Sequence, residues 1–459
     1  MARQAKHHGV TTIPTARELF FFTLPQAALM LCHLTISMTD IWVAGQLGRD
    51  VQTSIGIVSQ VFSMLMLIAS LAGSGASTAI SQSLGAGRTL RASRYVASIL
   101  QICFLSGTLV ALISLAMVHG TNLFQSENTA LQPIMLTFIT AYCVNLPFFY
   151  LLVMINSVFR AHTYVRIPCQ TLFLVCMINL IASLAFGLGM WGAPNYGYAG
   201  VAWATVASGI VGLLYNCIAL WRTGIISRRS FTGRRWNAMA LPYVFRTGIP
   251  AVLGSIASQS GGMITLLLIM SLPMATESII AGMTIGTRVQ SILHFGVAAF
   301  GISMAIYSGH LLGAGQGQAL YIFAKKSLRL VFIVMGVLSA VFYASGHIIL
   351  DFMTNDAHVL REAQYFLGFA CISVPFMALT IMINSIFSGT GAQKLSAKIT
   401  VLTTWCLQIP LAYILSTLFN LGITGIYTAG LLSHLVSCTS LCCLFHKRTW
   451  LNFALRRTA

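Results

Sequence analysis

Two stretches of the chain say nearly the same thing. Asn145-Leu146-Pro147-Phe148-Phe149 runs on to Met154-Ile155-Asn156-Ser157-Val158-Phe159. At an offset of 228 residues, Ser373-Val374-Pro375-Phe376-Met377 runs on to Met382-Ile383-Asn384-Ser385-Ile386-Phe387. At that same offset Leu84-Gly85-Ala86-Gly87 returns as Leu312-Gly313-Ala314-Gly315, and at an offset of 225 Pro25 pairs with Pro250 and Gly197 and Gly200 with Gly422 and Gly425. Paired segments that keep one order mark a duplicated chain, and long apolar runs around them mark a chain duplicated in a membrane.

The composition agrees. Of 459 residues, 57% are hydrophobic and 7% charged, where soluble domains carry about 25% charged residues. So few charges cannot coat a water-facing surface, which excludes a soluble multidomain enzyme, a secreted disulfide scaffold and a disordered chain. A transmembrane β-barrel would show short alternating segments instead of long apolar runs. The apolar runs fall at 19–47, 53–84, 94–118, 130–159, 167–190, 197–221, 242–272, 276–311, 326–350, 360–389, 396–418 and 422–446. Each is near or above the ~20 residues that a bilayer-spanning helix needs. The expected fold is therefore all-α and polytopic, with twelve transmembrane helices. Six helices in each half return the chain to its starting side, so the repeat is parallel, with two six-helix lobes around a central cleft. The lobes are expected at 1–222 and 242–459, with a connector at 223–241 and a tail after the last span.

The net charge of +18 would suggest nucleic acid, but its distribution does not. Arg3, Lys6 and Arg17, then Arg88, Arg91 and Arg94, then Arg160 and Arg166, the arginines of the connector, Lys325, Lys326 and Arg329, Lys394 and Lys398, and the tail residues Lys447, Arg448, Arg456 and Arg457 all fall on one side of the spans. Asp50, Glu127, Glu277, Asp351, Asp356 and Glu362 fall on the other. That is the positive-inside bias. It predicts an inner (cell) membrane protein with both termini in the cytoplasm, its basic loops against anionic headgroups and no nucleic-acid partner. The first apolar stretch has no small-residue cleavage site, so no cleaved signal peptide is expected. All eleven cysteines lie within or at the ends of apolar spans, without metal-ligand spacing, and read as small packing residues. No metal and no cofactor is expected.

Asp40 is the one carboxylate placed deep in a span. An ionised Asp there costs about 3 kcal/mol, so it should face a cavity or a partner, and a desolvated carboxylate is suited to taking up a proton. It reads as a coupling residue, against the plainer alternative that span 1 ends early and Asp40 caps it. His33, seven residues earlier, lies on nearly the same helical face and reads either as a proton relay to Asp40 or as a core histidine. Arg288 is an intramembrane cation with a transport or a structural role. Pro25 and Pro250, like Pro147 and Pro375, remove a backbone donor mid-helix and allow bending. Met38, Trp42, Tyr142, Phe148, Phe149 and Met154 would suit flat, partly hydrophobic cations, although a Met or aromatic at such spacing is more often packing.

The sequence resembles the multidrug and toxic compound extrusion (MATE) family. The likeness rests on Thr39-Asp40-Ile41-Trp42-Val43-Ala44-Gly45-Gln46-Leu47-Gly48 in span 1, on Gly73-Ser74-Gly75, Ala79, Gln82 and Leu84 to Gly87 ending span 2, on Thr287-Arg288-Val289-Gln290, Gly301-Ile302-Ser303 and Leu312 to Gly315 in span 8, and on the duplicated spans 4 and 10. It covers nearly the whole chain. It implies a V-shaped twelve-helix exporter that exchanges H⁺ or Na⁺ for amphiphilic, often cationic compounds. It also implies that Asn179 and Thr205 join Asp40 in a cation site, with Ser183 supplying a further oxygen. The chain departs from the family twice. Where NorM-like members carry an acid in span 7, it reads Ser258-Gln259-Ser260, and where other members place an Asp four residues after the span 5 Asn, it has Ser183. Both departures favour H⁺, which needs only the carboxylate, over Na⁺ as the coupling ion.

The expected function is secondary antiport of small organic substrates by alternating access, in a monomer. A lipid-linked-precursor flippase of related topology is the alternative, though it should need several buried basic residues. An enzyme is not expected, because the spans hold no paired acids and no histidine-rich set.

Overall fold

The computed structural model describes residues 14–120, 131–227, 230, 234–272, 277–351 and 356–455. Among them, twelve helices are long and apolar enough to cross a membrane. In the first half these are α1 (Ala16–Leu47), α2 (Arg49–Gly85), α3 (Thr89–Gly120), α4 (Leu131–Ala161), α5 (Arg166–Gly187) and α6 (Tyr198–Thr223). In the second half they are α7 (Arg234–Met270), α8 (Glu277–Gly313), α9 (Gly317–Ala344), α10 (Ala357–Thr390), α11 (Gln393–Leu418) and α12 (Gly422–His446).

The helices fall where the apolar runs predict them, with shifts of a few residues at most ends. The largest shift is in α9, which begins at Gly317 instead of 326. Its first turns are amphipathic: Lys325, Lys326 and Arg329 are exposed, while Phe323, Ala324, Ser327 and Leu328 are buried. A helix can extend past the apolar stretch on such a face, so these charges lie within α9 and not ahead of it. Elsewhere the outer surface is apolar. Leu105, Leu109 and Leu112 on α3 are 66%, 59% and 61% exposed. In water such stripes would be an aggregation liability; in a bilayer they are where the helix meets its solvent.

The duplication is visible in the backbone. After α2, the amides of Ala86, Gly87 and Arg88 donate to the carbonyls of Gln82, Leu84 and Ser83 at 3.0, 3.0 and 2.9 Å. After α8, Ala314, Gly315 and Gln316 donate to His310, Leu312 and Leu311 at 2.9, 3.0 and 2.9 Å. Gly87 (φ 72°) and Gly315 (φ 77°) hold the left-handed conformation that makes each turn possible. The ends of α4 and α10 match as well, with Tyr164 N–H on the Phe159 carbonyl and Ala392 N–H on the Phe387 carbonyl, both at 2.8 Å. Close approaches repeat too: a Cβ on Gly200 would lie 2.2 Å from the Phe186 carbonyl oxygen, and one on Gly425 would lie 2.7 Å from the Leu415 carbonyl carbon.

By contact the chain forms two compact units, whose borders do not follow the repeat at two helix ends. Among the described residues, the first unit holds 24–248, and the second holds 14–23 together with 249–455. So α1 starts in the second unit and passes into the first just before Pro25, and α7 starts in the first and passes into the second just before Pro250. Both helices run on through their prolines. Within the second unit, Thr23 Oγ1 donates to Ser303 Oγ at 2.9 Å, and the Phe22 ring lies 5.0 Å from that of Tyr307. Within the first unit, the start of α7 is anchored by Trp236, whose ring meets Tyr95 edge-on at 5.5 Å.

Candidate ion-coupling site

The first unit gathers the polar residues expected to act together. Asp40 projects from α1 and is 7% exposed, so it does not cap an early helix end: α1 continues to Leu47. Asn179 on α5 lies within electrostatic reach of its carboxylate. Asn179 Nδ2 also donates to Thr205 Oγ1 on α6 at 3.3 Å, and that hydroxyl donates to the Val201 carbonyl at 3.3 Å. Asn179 and Ser183 are fully buried.

The cluster brings together unmatched polar atoms. Asp40 Oδ1, Asn179 Oδ1 and Ser183 Oγ are buried without a hydrogen-bond partner. Buried polar atoms are nearly always paired, and each exception needs an explanation. Two of these three atoms, on Asp40 and Asn179, are pure acceptors; a proton or a cation would satisfy them where a packed apolar side chain could not. Ser183 lies one turn beyond Asn179 and opens a π-helical turn, Ser183–Gly187, at the end of α5. Such turns recur at functional sites.

Other expected residues separate into groups. Tyr142 is 8% exposed and lies within electrostatic reach of Asp40, in the core that Val43, Ile139 and Val206 share. It borders the acid and does not line an open surface. Phe149 and Tyr142 are linked through Phe62, at 5.8 and 5.0 Å between ring centroids. Phe148 is half-buried, and Met38 and Trp42 are exposed. Met154 is a correction: at 2% exposure it is core, against Gly73, and offers no surface to a ligand. His33 is exposed and sits within electrostatic reach of Arg160, not hydrogen-bonded to Asp40. Arg288 is exposed on α8.

Sequence reasoning missed two features. Cys176, within electrostatic reach of Asp40, was legible only as the residue one turn before Asn179 on the same face of α5. A second buried network links α4, α5 and α6, in which Asn216 Nδ2 donates to Asn156 Oδ1 at 2.9 Å and Thr171 Oγ1 donates to Asn216 Oδ1 at 2.6 Å. Nothing in the spacing of Asn216 announced it. Away from these, the second unit has a cavity of about 770 Å³ lined by residues that include Tyr343, Arg361, Glu362, Tyr365, Asn420 and Thr424.

The MatE family model matches the chain twice, over residues 25–185 and 250–414. The chain belongs to the MATE family. The two matches open at Pro25 and Pro250, so the family's own unit is the repeat, and each copy begins where α1 and α7 pass from one compact unit to the other. The curated relatives are transporters. The probable multidrug resistance protein NorM of Thermotoga maritima is 23% identical over 434 residues, covering 94% of this chain and 91% of that one. The FAD transporter of Shewanella oneidensis is 26% identical over 423 residues, covering 88% and 89%. Among solved structures, a Vibrio cholerae MATE transporter, VcmN, superposes with a TM-score of 0.84 at 19% identity, covering 94% of this chain and 96% of that one, which shows the shared two-lobe fold. The protein is thus a multi-pass membrane protein of the MATE multidrug efflux transporter family.

Proposed function

We propose that the protein is a secondary antiporter that expels amphiphilic, cationic organic compounds from the cell in exchange for H⁺, with Asp40 as the coupling carboxylate. The observation that carries this reading is the buried Asp40–Asn179–Thr205 cluster with its unmatched acceptor oxygens. Protonation neutralises Asp40 and turns one carboxylate oxygen into a donor. The new donor changes what Asp40 offers the unmatched oxygen of Asn179, and α1 carries the change toward Pro25, where it leaves one compact unit for the other. Alternating access follows if the two protonation states favour different bends of α1.

Substrate chemistry rests on the exposed Met38 and Trp42 and the half-buried Phe148 and Phe149, whose apolar and aromatic surfaces suit a flat cation. The flippase reading is weaker, because the cluster holds a carboxylate and no cation to meet the charge of a pyrophosphate. Both termini and the 223–241 connector lie in the cytoplasm on this reading, with the basic loops against anionic lipid. Ser227 is exposed, so Ser227→Cys in a cysteine-depleted variant should react with an impermeant thiol reagent only after permeabilisation.

The test is efflux from proteoliposomes holding wild-type protein and a panel of fluorescent organic cations, under an imposed pH or Na⁺ gradient. A pH gradient alone should accelerate efflux. Acceleration by Na⁺ alone at constant pH would reassign the ion, and efflux indifferent to both would overturn the antiport reading.

A further inference from the structure

A second charged cluster lies in the first unit, at the end opposite to Asp50. The first turns of α3 and α7 meet there beside the end of α2. Arg94 stacks over the Trp236 ring, 5.5 Å from its centroid, and Arg91 over Tyr95 at 5.9 Å. Tyr243 lies beside Gln82 and within electrostatic reach of Tyr95, Arg91 and Arg246. Three guanidiniums, an indole N–H and a phenol thus converge on one place.

Among the described residues of this unit, no acidic side chain lies at this end. The acidic side chains of this unit are Asp40, Asp50 and Glu127. Asp40 lies mid-way along α1, beside Asn179 and Tyr142. Asp50 is in the first turn of α2, whose last turn carries Gln82. Glu127 follows the far end of α3 in sequence and lies outside the described residues. Meanwhile Arg94 Nε and Trp236 Nε1 are buried without a hydrogen-bond partner. Both atoms are donors only, so what satisfies them must be an acceptor, and beside three cations it should be an anion. Guanidiniums recognise phosphoryl oxygens through paired N–H bonds, and a Trp at the end of an apolar span sits at headgroup depth.

We propose that Arg91, Arg94, Arg246, Trp236 and Tyr243 form a binding site for a phosphoryl oxyanion, presented either by an anionic phospholipid headgroup or by soluble phosphate. The site joins the start of α7 to α2 and α3, so its occupant holds that segment in the first unit.

The test uses the full-length protein, delipidated in neutral detergent, with binding read by native mass spectrometry and by thermal shift. The probes are phosphatidylglycerol, phosphatidylcholine and inorganic phosphate. Phosphatidylglycerol should bind and stabilise in preference to phosphatidylcholine. Arg94→Gln and Arg246→Gln should each weaken this about tenfold, the worth of a charge-assisted hydrogen bond, while Arg222→Gln, an exposed arginine outside the cluster, should not. Trp236→Phe keeps the ring against Tyr95 and removes only the N–H, so it tests the site if an arginine variant fails to fold, with an expected loss of about threefold. Lipid retained against excess phosphate assigns the headgroup; lipid displaced by phosphate, with the same variants affected, assigns the soluble ion. Equal binding of the two lipids together with no effect of phosphate, or full binding by the Arg94→Gln and Trp236→Phe variants, overturns the proposal.

Discussion

The two halves share a backbone and differ in what they hold. Their turns repeat bond for bond at Ala86–Arg88 and Ala314–Gln316, and Gly197 (φ 57°) and Gly422 (φ 55°) open α6 and α12 with the same left-handed step. The polar cluster does not repeat. At the repeat's offset of 225, Thr265 stands for Asp40 and Gly430 for Thr205. The second network is lost as well: Leu441 stands for Asn216 and is fully buried, and Asn384, the counterpart of Asn156, has an Oδ1 without a partner. In their place the second half brings His294 on α8 within electrostatic reach of His434 on α12. Duplication kept the residues that make helices turn and touch, and those are the fold. The residues that bind charge were free to diverge, and on this account coupling is the work of the first half alone.

That asymmetry can be broken directly. Asp40→Thr combined with Thr265→Asp moves the acid to its counterpart position. Because Gly430, in the place of Thr205, offers the new carboxylate no hydroxyl, the double variant should lose all acceleration by a pH gradient; restored coupling would mean that the halves are interchangeable. The symmetric part should respond symmetrically. Gly200→Ala and Gly425→Ala each force a Cβ onto backbone atoms, and overpacking of this kind costs about 1–3 kcal/mol, so both should lower the melting temperature in detergent by similar amounts. A smaller contrast concerns the second network. Asn216→Leu leaves Asn156 Oδ1 unpaired in the core, at about 1–3 kcal/mol, whereas Asn384→Leu removes a group whose oxygen is already unmatched and should cost less. Equal losses in these last two variants would show that the network does not distinguish the halves.

Much of this was legible in the sequence because it rests on local physics. Apolar length fixed the number of spans, the sidedness of arginine and lysine their expected orientation, and Gly87 and Gly315 the turns at which α2 and α8 end. Asp40 stood out because one acid in an apolar span has few explanations, and resemblance supplied Asn179, Ser183 and Thr205. What was hidden is tertiary. The π-helical turn at Ser183 leaves no periodic trace. Met154 and Tyr142 share the composition of a binding surface, and only packing reveals them as core. The passage of α1 between units at Thr23 and Leu24 depends on Phe22 and Thr23 finding Tyr307 and Ser303, far along the chain. The start of α9 differs because Lys325 and Lys326 resemble a loop until the buried residues on either side of them show an amphipathic turn.

The central claim is that Asp40 couples the ion. Its most direct test is pH-gradient-driven efflux in proteoliposomes holding equal amounts of wild-type and Asp40→Asn protein, with equal melting temperatures confirming the fold. Asparagine keeps the shape of the protonated acid and cannot release a proton. The account predicts gradient-accelerated efflux for wild type and none for the variant. A variant that responds to the pH gradient as wild type does would contradict it.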